Sequence, residues 1–355
     1  MKLLPLLHIN RQILKNNFLK AKNKCEKMGA VLRPHVKTVH DPVVVESLFE
    51  LGLEKVTVSN PQMMLDFYKA GIHDICLALP FSFHFVYACN DYLKDPNTVL
   101  MVVVDHIDQL SALAQLNRSV LVMIEVDVGQ MRSGIDWRQV NRCQELIHAI
   151  HQSDHSFSGL TVHFGHHYSA QNARDIRLRV SESMSRILQL RENLAPEFGP
   201  IPLAIGDTPS LHSSVYFEYA FEIRAGNFLI NDLTMVDKGL CTIQDVAAAV
   251  ACPIIGKYES DNRLVAHVGS VHLSKECHPN PAIRYGWVLR SQDGLRSQRV
   301  AGARLLDLYQ EHAVIVMSPE DIETFNIGDT IFVLPVHSCL TMDAMIHKRQ
   351  FQMVA

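Results

Sequence analysis

A lysine at the end of a short apolar stretch is the first residue whose setting suggests chemistry. Val31 and Leu32 lead into Arg33-Pro34-His35-Val36-Lys37-Thr38, so a strand-like run ends near a proline and then presents one lysine. A lysine that is shielded from water beside other cations loses its proton more readily, and its free amine can attack a carbonyl carbon. Lys37 is therefore a candidate for Schiff-base chemistry. A solvent-exposed loop lysine is the alternative that this stretch alone leaves open.

Two glycine-containing turns later in the chain have the composition of a phosphate-binding site. Gly206-Asp207-Thr208-Pro209-Ser210 follows one strand-like run, and Ala225-Gly226-Asn227 follows the next. Backbone N–H groups of such turns bind phosphate oxygens, and hydroxyl groups add further donors. Each turn alone indicates no more than a helix cap. Together with Lys37 they match the needs of pyridoxal phosphate, whose aldehyde must reach a lysine while its phosphate is held elsewhere.

Two further groups of polar residues could take part in a reaction. The segment Val162-His163-Phe164-Gly165-His166-His167-Tyr168 offers groups for proton transfer, and a polar loop without a role is its alternative. The sequence leaves the separate roles of its histidines and Tyr168 open. His337-Ser338-Cys339 pairs an imidazole with a thiol. By itself this is a weak metal motif, because structural zinc sites show four ligands.

The elements that must position these residues alternate between strands and helices. The predicted strands are Val31–Lys37, Val56–Ser59, Asp74–Leu79, Thr98–Asp105, Val120–Val128, Leu160–His163, Pro202–Ile205 and Phe221–Arg224. Near-continuous apolar strands joined by helices predict an α/β protein with a closed (β/α)₈ barrel of the TIM type. A doubly wound open sheet is the alternative, but no Gly-x-Gly-x-x-Gly motif follows the first strand.

The barrel prediction also gathers the polar residues in one place. Active sites of such barrels lie where the strands end. The residues expected at that mouth are Lys37, Asn60, Asp127, His163, Asp207 and Arg224.

From about Cys241 the long helical patterns stop and short strands follow. These are Pro253–Tyr258, Leu264–Val268, Tyr285–Leu289, Ala313–Met317 and Thr330–Leu334. We expect two domains: residues 1–240 as the barrel, and residues 241–355 as a mostly β domain that carries His337 and Cys339. The first few residues of the chain could join the second domain.

Composition narrows the class of protein. The 355 residues are 48% hydrophobic with a net charge of −4, which supports a large core and gives no basic surface for nucleic acid. No run approaches the roughly 18 consecutive apolar residues of a membrane span. The first eight residues lack the cleavage site of a signal peptide. The eight cysteines are irregularly spaced. We expect a cytoplasmic protein whose cysteines are mostly buried.

In these segments the chain resembles the fold-type III pyridoxal-phosphate enzymes, which have an alanine-racemase-like barrel. Within them it is similar to the D-serine dehydratase and D-threonine aldolase group. The resemblance runs in order over nearly the whole chain and is carried by Arg33–Thr38, Glu125–Gly129 with Arg132 and Gly134, Gly206–Pro209, Arg224–Asn227 and Pro335–Cys339.

The resemblance implies roles for individual residues. Lys37 would bind pyridoxal phosphate as a Schiff base, Arg132 would lie near the cofactor ring, and His163 and Tyr168 would be catalytic groups. The phosphate end would be bound by Gly206, Asp207, Thr208, Gly226 and Asn227. His337 and Cys339 would bind a divalent metal. Because a thiolate favours zinc, zinc is expected there, with manganese or magnesium as alternatives.

The resemblance also implies a reaction. We expect a lyase that dehydrates and deaminates a D-serine-like β-hydroxy amino acid to a 2-oxo acid and ammonia, with the metal assisting loss of hydroxide. A D-threonine aldolase, which forms glycine and an aldehyde, is the alternative. An amino-acid racemase and a non-catalytic pyridoxal-phosphate-binding protein are less favoured. The expected partner is a small D-amino acid, with no nucleic acid and no membrane, and the protein is expected to be a homodimer.

Overall fold

The structure is a computed structural model that describes residues 4–213, 217, 219–293 and 295–355. The chain divides into two compact units. The first, called here the barrel unit, contains Phe18–Lys37 and Asp41–Phe228. The second, called the β unit, contains Met1–Asn17, Thr38–His40 and Leu229–Ala355. Each unit is described by itself below.

The chain begins with strand β1 (Leu6–Asn10) and helix α1 (Arg11–Lys27). The Asn10 side chain accepts a hydrogen bond from the Ile13 backbone N–H at 2.9 Å, as expected for a residue that caps a helix. After the helix, Gly29 has a φ of 71°, a left-handed conformation that glycine adopts without a steric cost. An asparagine before the helix and a glycine after it are therefore its start and stop signals.

Parallel strands form the barrel unit. They are β2 (Val31–Leu32), β3 (Lys55–Val58), β4 (Asp74–Pro80), β5 (Val99–Val104), β6 (Leu121–Asp127), β7 (Ile135–Asp136), β8 (Ser156–His163), β9 (Leu203–Gly206) and β10 (Ala220–Ile223). Their order is β2-β10-β9-β8-β6-β5-β4-β3, with β7 paired to β6. A parallel bridge between His35 and Thr57 joins the two ends of this order, so the sheet closes. All of β5 except Val99 is buried, as a sheet covered on both faces requires.

Helices connect these strands. They are α2 (Pro42–Val45), α3 (Pro61–Lys69), α4 (Val86–Tyr92), α5 (Leu110–Leu113), α6 (Val140–His151), α7 (Ala173–Phe198) and α8 (Thr208–His212). Short 3₁₀ helices cover Val36–Thr38, Glu46–Leu51, Phe83–Phe85, Ile107–Gln109, Gly165–Ser169 and Asn227–Leu229. The caps follow from the sequence, because Asn60 and Asp207 each precede a helix that has proline in its first turn.

The first predicted strand is shorter than expected. Strand pairing covers only Val31–Leu32, with one further bridge at His35, and Val36–Thr38 forms a 3₁₀ helix. Pro34 has no N–H to donate to the ladder, so regular pairing ends before it. Lys37 therefore lies on a short helical turn instead of on an extended strand.

The β unit contains helices α9 (Leu233–Asp237), α10 (Ser270–Leu273), α11 (Pro319–Glu323) and α12 (Ser338–Ile346) and 3₁₀ helices Ile243–Asp245 and Glu259–Asp261. Its strands are β11 (Ala248–Tyr258), β12 (Arg263–His267), β13 (Trp287–Gln292), β14 (Leu295–Arg299), β15 (Arg304–Leu308), β16 (His312–Val316), β17 (Thr330–Leu334) and β18 (Phe351–Val354). The sheet order is β14-β13-β17-β11-β12-β16-β15. Strand β1 joins it by pairing with β11 and β18.

The predicted fold class, a (β/α)₈ barrel with a mostly β C-terminal part, is confirmed. The predicted division into domains at residue 240 stays a prediction. In the described part of the chain, no helix combines the length and the apolar character that crossing a membrane requires.

Candidate active site

A cavity of about 480 Å³, which includes solvent space at its mouth, lies in the barrel unit and contains Lys37. Its lining comes from residues at or just beyond the carboxyl ends of the strands, as in other barrels. Charged and polar residues of the lining are His35, Lys37, Thr57, Glu125, Arg132, Thr161, His163 and Arg224. The structure therefore brings together Lys37, Arg132, His163 and Gly206 of the predicted site residues.

His163 is held as a neutral imidazole. Its Nδ1 lies 2.5 Å from the carbonyl oxygen of Gly206, and because that oxygen only accepts, Nδ1 carries the proton. Shielding from water, followed by the nearby charge of Arg132, lowers the pKa of His163 to about 4. At pH 7 its Nε2 therefore keeps a lone pair that can accept a proton or a hydrogen bond.

Arg33 and His35, which are close to Lys37 in the sequence, are not the charged groups that line the cavity with it. Arg33 is buried and pairs with Glu222 and Asp74, at 2.7 Å to each. Removal from water, followed by the charge of Lys37, holds the pKa of His35 well below its ordinary value, so His35 is uncharged at pH 7. Arg132 and Arg224 line the cavity instead.

Arg224 is a cavity residue to which sequence reasoning gave no role of its own. Its Nε donates to Glu222 Oε1 at 2.6 Å, while the other oxygen of Glu222 receives Arg33. The pKa of Glu222 is lowered. Burial acts to raise this pKa, but the guanidinium groups of Arg224 and Arg33 outweigh burial. The carboxylate thus fixes Arg224 at the end of β10, next to the loop that contains Gly226.

Glu125 is a second such residue. It lies on β6 among buried apolar neighbours, and its Oε2 has no hydrogen-bond partner among the described residues. Arg132 Nη2 is 3.9 Å from Oε1. Burial raises the pKa of Glu125, and contacts with Ser133 and Arg132 offset this only in part. A carboxylate inside the apolar run Ile124-Glu125-Val126 was the available signal in the sequence, since buried carboxylates need a partner.

The two predicted phosphate-binding turns lie against each other. The Thr208 hydroxyl accepts a hydrogen bond from the Phe228 backbone N–H at 3.0 Å, and Asn227 is buried. A Cβ atom on Gly226 would lie 2.4 Å from the His35 carbonyl oxygen, so this position accepts only glycine without movement. Thr208, Gly226 and Asn227 are thus close together and packed against the segment that carries Lys37.

Two predicted site residues are placed differently. The Asp207 side chain is buried and caps α8, accepting from the Ser210 N–H at 2.7 Å. Tyr168 is half-buried in the 3₁₀ helix Gly165–Ser169. Neither residue is among the described residues that line the cavity. Their roles in cofactor binding and catalysis stay predictions.

The predicted metal ligands lie in the β unit, at the start of α12. His337 Nδ1 is 2.9 Å from Glu276 Oε2, and Cys339 Sγ is 3.1 Å from the Thr38 hydroxyl. Burial lowers the pKa of His337, but contacts with Cys339 and Glu276 outweigh burial and raise it to about 11. An imidazole and a thiol with a carboxylate beside them are donors that a divalent metal can use, and they bind it in their deprotonated forms.

Comparisons with known proteins agree with this arrangement. Residues 9–231 match the family model described as alanine racemase, N-terminal domain, and residues 247–347 match the putative serine dehydratase domain. The chain is 25% identical to D-threo-3-hydroxyaspartate dehydratase from Delftia sp. (strain HT23), over 95% of this chain and 91% of that one. It is 23% identical to D-serine dehydratase from Dictyostelium discoideum, over 95% and 90% of the two chains.

Solved structures show the same fold. The Delftia dehydratase has a TM-score of 0.88 and 23% identity, with 97% of this chain and 93% of that chain covered. D-threonine aldolase from Filomicrobium marinum has a TM-score of 0.81 and 18% identity, with 96% and 89% covered. The first family match spans more than half of the chain, so the predicted family is confirmed: this protein belongs to the family that shares the alanine racemase N-terminal domain.

Proposed function

We propose that this protein is a lyase dependent on pyridoxal phosphate and a divalent metal, and that it dehydrates a D-β-hydroxy amino acid. A D-serine-like substrate loses water across Cα and Cβ to give an enamine. The enamine takes a proton at Cβ and becomes an imine, and hydrolysis of the imine gives a 2-oxo acid and ammonia. The observation that carries this proposal is the shared cavity of Lys37, Arg132 and neutral His163. The relatives named D-serine dehydratase and D-threo-3-hydroxyaspartate dehydratase support the choice of reaction.

The barrel cavity has the groups that an anionic aldehyde cofactor needs. Lys37 supplies an amine, and Arg132 and Arg224 supply positive charge. Gly226 lies so close to the His35 backbone that a Cβ would fill the space, and Thr208 lies on the neighbouring turn. Pyridoxal phosphate, when bound, withdraws electrons from Cα of an attached amino acid.

Each of the cavity residues has its own role in this proposal. Lys37 would bind the cofactor covalently, and the positive charges of Arg132 and Arg224 would attract its anionic groups. His163 offers an unprotonated Nε2 at neutral pH, which suits it to accept a proton or to orient a polar group. Glu222 holds Arg224 in position from behind.

His337 and Cys339 are the proposed ligands of the metal, with Glu276 beside His337. Imidazole and thiolate ligands favour zinc over manganese or magnesium. A catalytic zinc commonly has three protein ligands and one exchangeable position, and an ion of this kind supplies Lewis-acid activation of a hydroxyl group. One solved relative is described as a cysteine-to-alanine mutant of the dehydratase in the metal-free form.

The test is incubation of the protein, loaded with pyridoxal phosphate and zinc, with D-serine, D-threo-3-hydroxyaspartate, D-threonine and L-serine. We expect ammonia and a 2-oxo acid from a D-β-hydroxy substrate and none from L-serine. Glycine from D-threonine without ammonia from any substrate would replace this proposal by the aldolase alternative. A relative named D-threonine aldolase, 25% identical over 87% of this chain, makes that outcome the relevant rival.

Lys37→Ala is the matching variant, with the exposed Lys69→Ala as its control. Loss of the amine should abolish the visible absorption of lysine-linked cofactor and lower kcat by more than about 100-fold, while Lys69→Ala keeps both. A Lys37→Ala protein that retains this absorption after gel filtration would refute the central assignment. The homodimer and the cytoplasmic location also belong to the proposal, and light scattering on the purified protein tests the first.

A further inference from the structure

Three potential metal ligands of the β unit lie together away from the His337/Cys339 pair. Asp343 lies on α12, and His347 directly follows the end of that helix with helical backbone angles. Residues four apart lie on the same face of a helix. His40 reaches them from the separate segment Thr38–His40, which belongs to the same unit. One ligand atom from each of the three residues lies within 4.8 Å of the others.

The distances fit a common ion. The Nε2 atoms of His40 and His347 are each 3.2 Å from the same oxygen, Oδ1 of Asp343. A tetrahedral ion with bonds of about 2.0–2.1 Å places its ligand atoms about 3.3 Å apart. The side chains of Asp343 and His347 are 51% and 68% exposed, so they can rotate to complete the geometry.

The backbone conformation at His40 also supports a metal ion shared by His40, Asp343 and His347. Its φ of 53° lies in the left-handed region, which residues other than glycine seldom occupy. In this conformation the imidazole faces α12 and its ring centroid is 5.2 Å from that of His347. Two residues earlier, the Thr38 hydroxyl contacts Cys339 in the first turn of the same helix. The segment thus contacts the first turn of α12 through Thr38 and residues near the end of the helix through His40.

We propose that His40, Asp343 and His347 form a second metal site, distinct from the His337/Cys339 pair. Two imidazoles and one carboxylate select a zinc-like transition-metal ion over calcium or magnesium, which prefer oxygen ligands. Water completes the coordination. The ion clamps Thr38–His40 to the carboxyl end of α12. This site is independent of the proposed reaction, and it stands even if the protein acts on another substrate.

The experiment uses the full chain in a Cys339→Ala background, so that the thiol-containing site is removed. The chelator-treated and dialysed protein is titrated with Zn²⁺ by calorimetry and with Co²⁺ by absorption. We expect one equivalent to bind. The Co²⁺ complex should show ligand-field bands without the charge-transfer band of a thiolate ligand.

Adding His347→Ala to this background should weaken Zn²⁺ binding at least tenfold, and Asp343→Asn should do the same. His312→Ala, which removes an exposed histidine of the same unit, is the matched control and should leave the affinity unchanged. Circular dichroism checks that each variant is folded. A loss smaller than tenfold in both variants, or no Zn²⁺ bound in the Cys339→Ala background, would overturn the site.

Discussion

Glu125 is a buried carboxyl in the cavity lining whose desolvation lowers the stability of the fold. The carboxyl lies on an apolar strand, one of its oxygens has no hydrogen-bond partner among the described residues, and its pKa is raised by burial. Its nearest described cation is Arg132, at 3.9 Å. We infer that Glu125 positions Arg132, because both line the cavity and Arg132 is the one charged group within 4 Å of this carboxyl among the described residues.

The variant Glu125→Gln separates the cost of the buried carboxylate to stability from its contribution to activity. Because the folded-state pKa is raised, the unfolded chain loses the proton first, and the carboxylate destabilises the fold at pH values above its ordinary pKa. We expect Glu125→Gln to increase the free energy of unfolding of the cofactor-free protein at pH 8 by about 1 kcal/mol. The gain should shrink as the pH falls toward 4.5. Urea unfolding at several pH values measures it.

Activity should change in the opposite direction. Loss of the charge that holds Arg132 should lower kcat/KM about tenfold, since catalytic groups need precise support. Glu125→Asp keeps the negative charge and should retain a higher kcat/KM than Glu125→Gln. A Glu125→Gln enzyme that is less stable at pH 8 and fully active would contradict the positioning role.

At the scale of elements, the site depends on how closely two loops approach each other. Gly226 follows β10, and His35 follows β2, and the His35 N–H donates to the Ala225 carbonyl at 2.8 Å. The turn after β9 joins them, because the Thr208 hydroxyl at the start of α8 accepts a hydrogen bond from the Phe228 N–H. The predicted phosphate-binding turns are therefore connected to the parallel pairing of β2 with β10.

Gly226→Ala tests this approach. The added methyl would lie 2.4 Å from the His35 carbonyl oxygen, which is backbone and cannot rotate away. We expect a loss of about 1–3 kcal/mol in stability and an affinity for pyridoxal phosphate at least about tenfold lower. Gly302→Ala is the control, because its nearest neighbouring atom, on Asp321, would be 3.5 Å away. Unchanged cofactor affinity in Gly226→Ala, measured by fluorescence titration, would remove this turn from the site.

At the scale of the whole molecule, histidines that are kept neutral make stability depend on pH. Shielding from water, more than any single charge, lowers the pKa of His163 in the barrel unit and of His272 in the β unit to about 4. Their ordinary value is 6.5, so the unfolded chain binds these protons first as the pH falls. The free energy of unfolding should therefore decrease as the pH falls from 6.5 to about 4.

The expected result is a free energy of unfolding that declines from pH 6.5 toward pH 4, by up to about 1.4 kcal/mol per pH unit for each such histidine. His163→Asn and His272→Gln should each make the decline shallower. His84→Ala, at an exposed position, should leave the slope as it is. Equal slopes in all four proteins would show that these two histidines are not the groups responsible.

The barrel itself follows from local information. Apolar runs such as Val99–Val104, separated by helix caps such as Asn60 and Asp207, predict parallel strands and helices in the observed order. Strands β14, β15 and β18 were not predicted, because half-exposed strands carry a weaker apolar pattern and depend on their partners. Strand β1 is almost entirely buried, and an apolar run of five residues does not by itself distinguish a strand from a helix. The first barrel strand was predicted too long because Pro34 removes a ladder donor.

By itself the sequence determined the barrel, the presence of Lys37 in the first strand segment and the glycine turns beyond the last two strands, because these depend on short-range periodicity and turn chemistry. The tertiary structure moved Lys37 from the predicted strand Val31–Lys37 to a 3₁₀ helix beyond it. Only the tertiary structure decided which charges meet. It pairs Arg33 with Glu222, 189 positions away, places the Glu125 carboxyl near Arg132, and brings His40 to Asp343 and His347. These contacts join residues that are far apart in the chain. A local sequence pattern does not specify which distant residue will pair with a given charge.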